Sequence, residues 1–415
     1  MNQYFFVLGT NHTLCKIDIA NLLVRRGVDF EILEASEEIL LVASKESLEV
    51  NSLMSELGSV AKIGKIFRVY QKSEWPEEFL KEILEGKLKE GLRGEKFGIS
   101  VYGAGGKFRE LNRVLGRVRE IAEKIKEVGE IREIGEIRGI REIREAGRVL
   151  STVAVDKNNL LENGFELVLF VGDRWIYVGK TLAIQDYESY SFRDYGRPMR
   201  DARSGLIPPK LAKIMINLAG KGKEDLFLDP FCGSGTILQE LILLGYKNLV
   251  GSDLEKKAVE ETRVNLDWLF KNYDNIKRED YKIELFECDV RNLSEKVSSL
   301  QVGAVVTEPY LGKARRKFLK PEQIKEEIYQ LEELYLAAFQ EFKKILKSEG
   351  VVVIVFPVFR WQRRFFYLEI LEKIERLGFR KEDFLKKEIR GERKAKVGDN
   401  QERVGGFFPS GTISI

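Results

Sequence analysis

LFLDPFCGSGTILQELILLG, residues 226–245, is the stretch on which the fold of this chain turns. LFLD is a short apolar run that ends in an acid and is closed by Pro230, as a buried strand would be. TILQELILLG carries apolar residues at helical spacing and stops at Gly245. Between the two, Gly233 and Gly235 remove side chains where the backbone must turn tightly and where a bound molecule could approach it. The helix that follows aims its unsatisfied N–H groups at the same place. Strand, glycine loop and helix in this order predict the ligand-binding edge of a parallel sheet.

The alternation continues downstream. NLVGSD is a strand ending at Asp253, 20 residues after Gly233. An acid at that strand end can accept both hydroxyls of a ribose. IELFECD leads to Asp289, placed to hold an adenine amino group or to cap a turn. GAVVT ends at Thr307, a long helix is expected from Pro321 to Leu346, and VVVIVF and RRFFYLEILEKIERLG supply a further strand and helix. The C-terminal RVGGFFPSGTISI is expected to close the sheet. Residues 206–415 therefore form a doubly wound, Rossmann-like α/β domain. A dinucleotide fingerprint would need a third glycine at 238, which is Leu238, and no G-x-x-x-x-G-K-[ST] loop is present. Asp229, opening the loop, would repel a pyrophosphate but can face the amino group of a methionine moiety, and Phe231 lies in the same loop. S-adenosylmethionine is the cofactor these residues suit, with Asp229, Phe231, Gly233, Gly235, Asp253 and Asp289 as its binding residues.

The chain has 415 residues, with 44% hydrophobic and 33% charged, enough for two or three globular domains. No apolar run reaches 18 residues and no secretory leader is expected, so the cytoplasm is the expected compartment and no membrane is involved. Three scattered cysteines argue against a disulfide framework or a zinc cage. His12 is the only histidine, which excludes histidine triads and multi-histidine metal sites. Net charge is only +3, but Tyr310–Lys320 holds five positive residues and no acid. Residues 1–65 read as a small α+β, ferredoxin-like unit, and residues 66–185 as a second α+β domain. In the latter LSTVAV is expected as a strand, and a hairpin at Gly172-Asp173 joins two more. Residues 186–205 have a linker's composition, in which Arg193, Arg197, Arg200 and Arg203 could pair with Asp194 and Asp201. The isoleucine- and glycine-spaced stretch 113–150 is a biased helical extension.

SGLIPPKLAKIMINLAG followed by DPFCGSGTILQE, GSD and TEPY resembles the class I methyltransferases of the THUMP-domain tRNA guanine-N2 group, which includes those acting on the guanosine at tRNA position 10. The resemblance is densest from Asp186 to Tyr310, and KFGISVYG with VAVDKNNLLENGFELVLFVGDRWIYVGKT looks like the two ends of a THUMP domain in residues 66–185. It implies that tRNA is the partner, gripped by the N-terminal module. It also implies that Thr307, Glu308, Pro309 and Tyr310 are the catalytic motif. In the family that motif is Asp, Asn or Ser, then Pro, Pro and an aromatic. The first side chain and the next carbonyl accept the target amine's hydrogen bonds, and the ring stacks on the base. TEPY departs from this pattern by replacing the first residue with threonine and by adding the Glu308 carboxylate, which could accept the amine or its proton. Lys313, Arg315, Arg316 and Lys317 follow directly, placed to meet phosphates of a strand whose base stacks on Tyr310. The expected activity is S-adenosylmethionine-dependent methylation of a guanosine N2 amine in tRNA. The alternatives are methylation of another exocyclic amine, such as adenine N6, or a non-catalytic tRNA-binding protein with a degenerate TEPY. A partner subunit is not indicated by any residue.

Overall fold

Alternating side chains of the first strand, β1 (Asn2–Leu8), are buried on both faces: Tyr4, Phe6 and Leu8 in one cluster, Phe5 and Val7 in another. The computed structural model describes residues 1–72, 96–103, 141–143, 149–200, 207–297, 301–312, 320–381 and 413–414. Described residues up to Tyr187 form one compact unit and those from Glu188 onward another.

In the first unit, α1 (His12–Arg25) starts at Asn11, whose side chain accepts the Leu14 N–H. β2 (Phe30–Ala35), β3 (Ile39–Ser44), α2 (Val50–Glu56) and β4 (Val60–Gln71) follow, then β5 (Lys96–Tyr102) and β6 (Arg141–Ile143). The unit ends with α3 (Thr152–Lys157), β7 (Gly164–Val171) and β8 (Trp175–Ile184). The eight strands make one mixed sheet in the order β2-β3-β1-β4-β8-β7-β5-β6. β4 crosses residue 65 and pairs with both β1 and β8, so the sheet is continuous across that position.

Two local expectations are corrected here. LSTVAV is not a strand: Ser151 caps Thr152–Lys157 as a helix by accepting the Ala154 N–H, and the helix buries Ala154 and Val155 in one cluster with the flanking Leu150 and Leu160. The β7–β8 turn is centred one residue later than expected, since the Gly172 N–H is bonded to the Trp175 carbonyl and leaves Asp173 and Arg174 between them. Nearly all of the 113–150 stretch lies outside the described residues.

The second unit opens with α4 (Tyr187–Tyr195), inside the segment whose composition was a linker's. α5 (Pro209–Ala219) has proline at its first turn and closes on Gly220 in the left-handed conformation. β9 (Leu226–Asp229), α6 (Thr236–Leu243), β10 (Asn248–Asp253), α7 (Lys256–Asn272), β11 (Lys282–Glu287), α8 (Leu293–Val297), β12 (Val302–Thr307), α9 (Pro321–Ile345) and β13 (Leu346–Ile354) complete the alternation. β14 (Phe359–Trp361), β15 (Arg364–Phe366), α10 (Leu371–Arg376) and β16 (Ile413–Ser414) come last. The six-stranded sheet runs β11-β10-β9-β12-β13-β16, and every described pair in it is parallel. This is the doubly wound α/β fold expected of the second half. The chain moves outward from β9 to β10 and β11, then crosses to β12 on the other side, which opens a crevice beyond the carboxyl ends of β9 and β12. Tyr335, Ala338, Phe339 and Phe342 of α9 pack against Leu228, Val305, Val352 and Ile354 of the sheet. Full burial of each such large side chain contributes about 1.5–3 kcal/mol. Residues 364–370, expected within a helix, instead contain β15, and only Leu371–Arg376 is helical.

Candidate functional site

Asp229 is the last residue of β9 and is almost fully buried. Its Oδ1 accepts the Phe231 N–H at 3.3 Å and the Thr307 hydroxyl at 2.6 Å. Burial pushes its carboxyl up to about 7, against the lowering effect of those two donors, while the Asp253 and Glu308 charges add to the rise. The loop beyond it is fixed from three sides. The Cys232 N–H is bonded to the Ser252 carbonyl, the Thr262 hydroxyl donates to the Gly233 carbonyl at 2.8 Å, and Asn265 Nδ2 donates to the Ser234 carbonyl at 2.8 Å. Gly235 has φ +83°, and a Cβ there would meet Thr262 at 2.9 Å, so glycine is required on both counts. Gly233 has φ +51°, and a Cβ there would point into open space within 4 Å.

Asp253 ends β10 with one carboxylate oxygen accepting the Gly233 N–H and the other the Glu255 N–H, each at 3.0 Å. It therefore ties the second strand end to the glycine loop. Asp289 lies two residues past β11, where it caps the short helical turn Val290–Asn292 and pairs with Arg291 at 3.2 Å. Phe231 packs against the main core of this unit. The structure thus brings Asp229, Phe231, Gly233, Gly235 and Asp253 to one crevice edge, with Asp289 at the outer strand.

At the end of β12, Thr307 is fully buried and its hydroxyl is committed to Asp229. Glu308, the next residue, is half-buried, has no hydrogen-bond or ion-pair partner among the described residues, and is raised above the ordinary carboxyl range by burial. Pro309 is buried and Tyr310 is 48% exposed. The Tyr310 carbonyl accepts the hydroxyl of buried Tyr335 at 2.7 Å, which anchors its backbone to α9. Lys313, Arg315, Arg316 and Lys317 lie outside the described residues.

Three groups that sequence reasoning missed surround the loop. Arg193 does not pair with Asp194: its Nε donates to Glu240 Oε1 at 2.6 Å, and both residues are buried. Arg197 is 3% exposed and donates from one nitrogen to the Thr236 hydroxyl at the start of α6. Its Nε and other terminal nitrogen have no partner among the described residues. The Ser252 hydroxyl, beside Asp253, is likewise buried and unpaired among them. Donors left unsatisfied in a protein interior are costly, and a bound polar molecule would supply their acceptors. These orphaned groups and the open space at Gly233 fit a zwitterionic nucleoside such as S-adenosylmethionine. No signal short of the fold could have found Arg197, since its partner lies 39 residues away on another element. Among the described residues, no group of three His, Cys, Asp or Glu side chains could hold a metal ion, and no helix is long and apolar enough to cross a membrane.

Comparison with known proteins gives this geometry a context. The chain is 27% identical over 220 residues to a tRNA (guanine(10)-N2)-dimethyltransferase of Methanocaldococcus jannaschii, covering 51% of this chain and 55% of the relative. It is 35% identical over 156 residues to the protein of that name from Methanothermobacter thermautotrophicus, covering 37% and 41%. The chain spans about half the length of the curated relatives it matches. In fold it is similar to TrmN from Thermus thermophilus, with a TM-score of 0.50 at 16% identity over 86% of this chain and 89% of that one. Residues 197–376, which hold both the glycine loop and TEPY, match the UPF0020 model described as RMKL-like, methyltransferase domain. Over that segment the chain is similar to the RMKL-like methyltransferase domain that the model describes.

Proposed function

We propose that this chain transfers a methyl group from S-adenosylmethionine to the exocyclic N2 amine of a guanosine in tRNA. The observation that carries the reading is the meeting of two motifs at one crevice: the acid-opened glycine loop after β9 and TEPY after β12, joined by the Thr307–Asp229 hydrogen bond. The names of the two curated relatives support the choice of substrate.

S-adenosylmethionine, when bound, supplies an electrophilic methyl group on a sulfonium. Asp229 would hold its ammonium, Asp253 its ribose hydroxyls and Asp289 its adenine amine. The free donors of Arg197 suit its carboxylate. Tyr310, half-exposed beyond a buried proline, presents a ring on which the target base stacks. Thr307, whose hydroxyl donates its hydrogen bond to Asp229, acts in this reading as a positioning residue for the cofactor loop. The acceptor role passes to Glu308, whose carboxylate, unpaired among the described residues, would receive an amine hydrogen bond and the proton that the amine gives up on methylation, the sulfonium being left as a neutral thioether. Catalysis then rests on aligning the nitrogen in a water-poor crevice. Lys313, Arg315, Arg316 and Lys317 would meet the phosphates of the same strand, and the N-terminal unit, with a THUMP-like domain at 66–185, would bind the rest of the tRNA. We place this activity in the cytoplasm.

Two substitutions separate the roles. Tyr310→Ala is expected to reduce transfer at least 100-fold while leaving S-adenosylhomocysteine affinity within a factor of about two, because it removes only base positioning. Asp253→Ala is expected to weaken that affinity by 10-fold or more through the lost pair of charge-assisted hydrogen bonds. Equal loss of both properties in both variants would contradict the assignment.

A further inference from the structure

β14 and β15 pair as a short antiparallel hairpin, with Arg360 opposite Phe365 and Trp361 opposite Arg364. Gln362 and Arg363 form its turn, and Gln362 adopts φ +52°, held by the Arg360 Nε bond to its carbonyl at 3.0 Å. Alternation divides the hairpin into two faces. Phe359 packs inward on the main core, whereas Val358, Arg360, Phe365 and Tyr367 are exposed on the other face. On that outer face the Arg360 guanidinium lies 5.9 Å from the Phe365 ring centroid, and the Phe365 and Tyr367 rings are 6.5 Å apart. Arg363 and Arg364 are also exposed, and no acid occurs between residues 355 and 368.

The hairpin is rooted beside the candidate base platform. It follows the carboxyl end of β13, the same edge of the sheet from which TEPY emerges. Phe356, just before it, packs on Tyr335 with ring centroids 5.5 Å apart, and the Tyr335 hydroxyl holds the Tyr310 carbonyl. One buried side chain thus connects the hairpin's base to Tyr310.

We infer that this hairpin is a binding surface for unpaired RNA nucleotides flanking the target base, with Phe365 and Tyr367 stacking on bases and Arg360 and the turn residue Arg363 meeting phosphates. Exposed rings beside guanidinium groups, with no carboxylate to repel a polyanion, are the combination that sequence-tolerant single-strand binding uses. The inference rests on the reading that RNA is the substrate.

The test is fluorescence anisotropy of a labelled, unmodified tRNA transcript titrated with the full chain at several salt concentrations, with S-adenosylhomocysteine binding measured in parallel. The double variant Phe365→Leu and Tyr367→Leu keeps apolar bulk and removes stacking. It is expected to bind tRNA about 10-fold more weakly with an unchanged salt slope. Arg360→Ala with Arg363→Ala is expected to lose affinity and to lower the slope of log affinity on log salt by about one to two. Both should bind S-adenosylhomocysteine as the wild type does. Wild-type affinity and slope in both doubles would overturn the inference while leaving the substrate reading intact. Failure of the wild-type chain to bind tRNA at all would overturn the substrate reading itself.

Discussion

At the scale of single residues, the chemistry converges on Asp229. Its carboxyl, raised to about 7, is an acid kept partly neutral near physiological pH by burial and by two neighbouring carboxylates. Its folded value lies above the unfolded one, so it binds more protons when folded, and its contribution to stability falls as pH rises from about 4 through about 7 and then levels. Asp229→Asn removes that penalty and can still accept the Thr307 hydroxyl. The variant is expected to melt a few degrees higher at pH 8, yet to bind S-adenosylhomocysteine at least 10-fold more weakly, as scanning calorimetry and titration calorimetry would report. Affinity of the wild type should rise with pH through about 7 as Asp229 ionises, and a flat profile would remove Asp229 from the ammonium site. Glu308 belongs to turnover instead. With its carboxyl raised by burial, single-turnover rate at saturating cofactor should climb with pH and then level, and Glu308→Gln should abolish that limb and slow transfer by about 10- to 1000-fold. An unchanged rate would make Glu308 a spectator. The loop acids were legible in the sequence because each sits at the end of an apolar strand. Arg197, Arg193 and Glu240 were not, since the pairing depends on α4 packing near α6 and composition carries no trace of it.

Elements carry the next level of constraint. Gly235→Ala would force a side chain into a left-handed backbone and into Thr262. It is expected to cost about 1–3 kcal/mol and to distort the cofactor loop, so that denaturant midpoint and nucleoside affinity fall together. In the first unit the strands are tied by a buried polar network. Lys62 is ion-paired with Glu166 and bonds the Leu150 carbonyl at 2.6 Å, while Glu166 also accepts the Ser100 hydroxyl and, at 2.6 Å, that of Thr181. Glu166→Gln removes the carboxylate ion-paired with the buried Lys62, and urea denaturation is expected to show a loss of about 3–5 kcal/mol. A loss below 1 kcal/mol would mean that water reaches Lys62. Strand and helix identity followed from periodicity wherever a segment was long. It failed where short segments were decided by caps and contacts: Ser151 turned LSTVAV into a helix, and the Gln362 turn made a hairpin of residues expected to be helical.

For the molecule as a whole, the order of strands follows from connection rules more than from any single residue. An alternation of strand and helix beginning at β9 allows few arrangements, and the switch between β9 and β12 places the glycine loop and TEPY at one crevice. The first unit was less legible, because an eight-stranded mixed sheet depends on long-range pairings such as β5 with β7 that no local pattern encodes. The central claim is that these parts make a tRNA guanine-N2 methyltransferase. The most direct test is transfer of a labelled methyl group from S-adenosylmethionine to unmodified tRNA, followed by nucleoside analysis of the product. The account predicts label in N2-methylated guanosine. Label in another nucleoside, or none despite binding of both cofactor and tRNA, would contradict it.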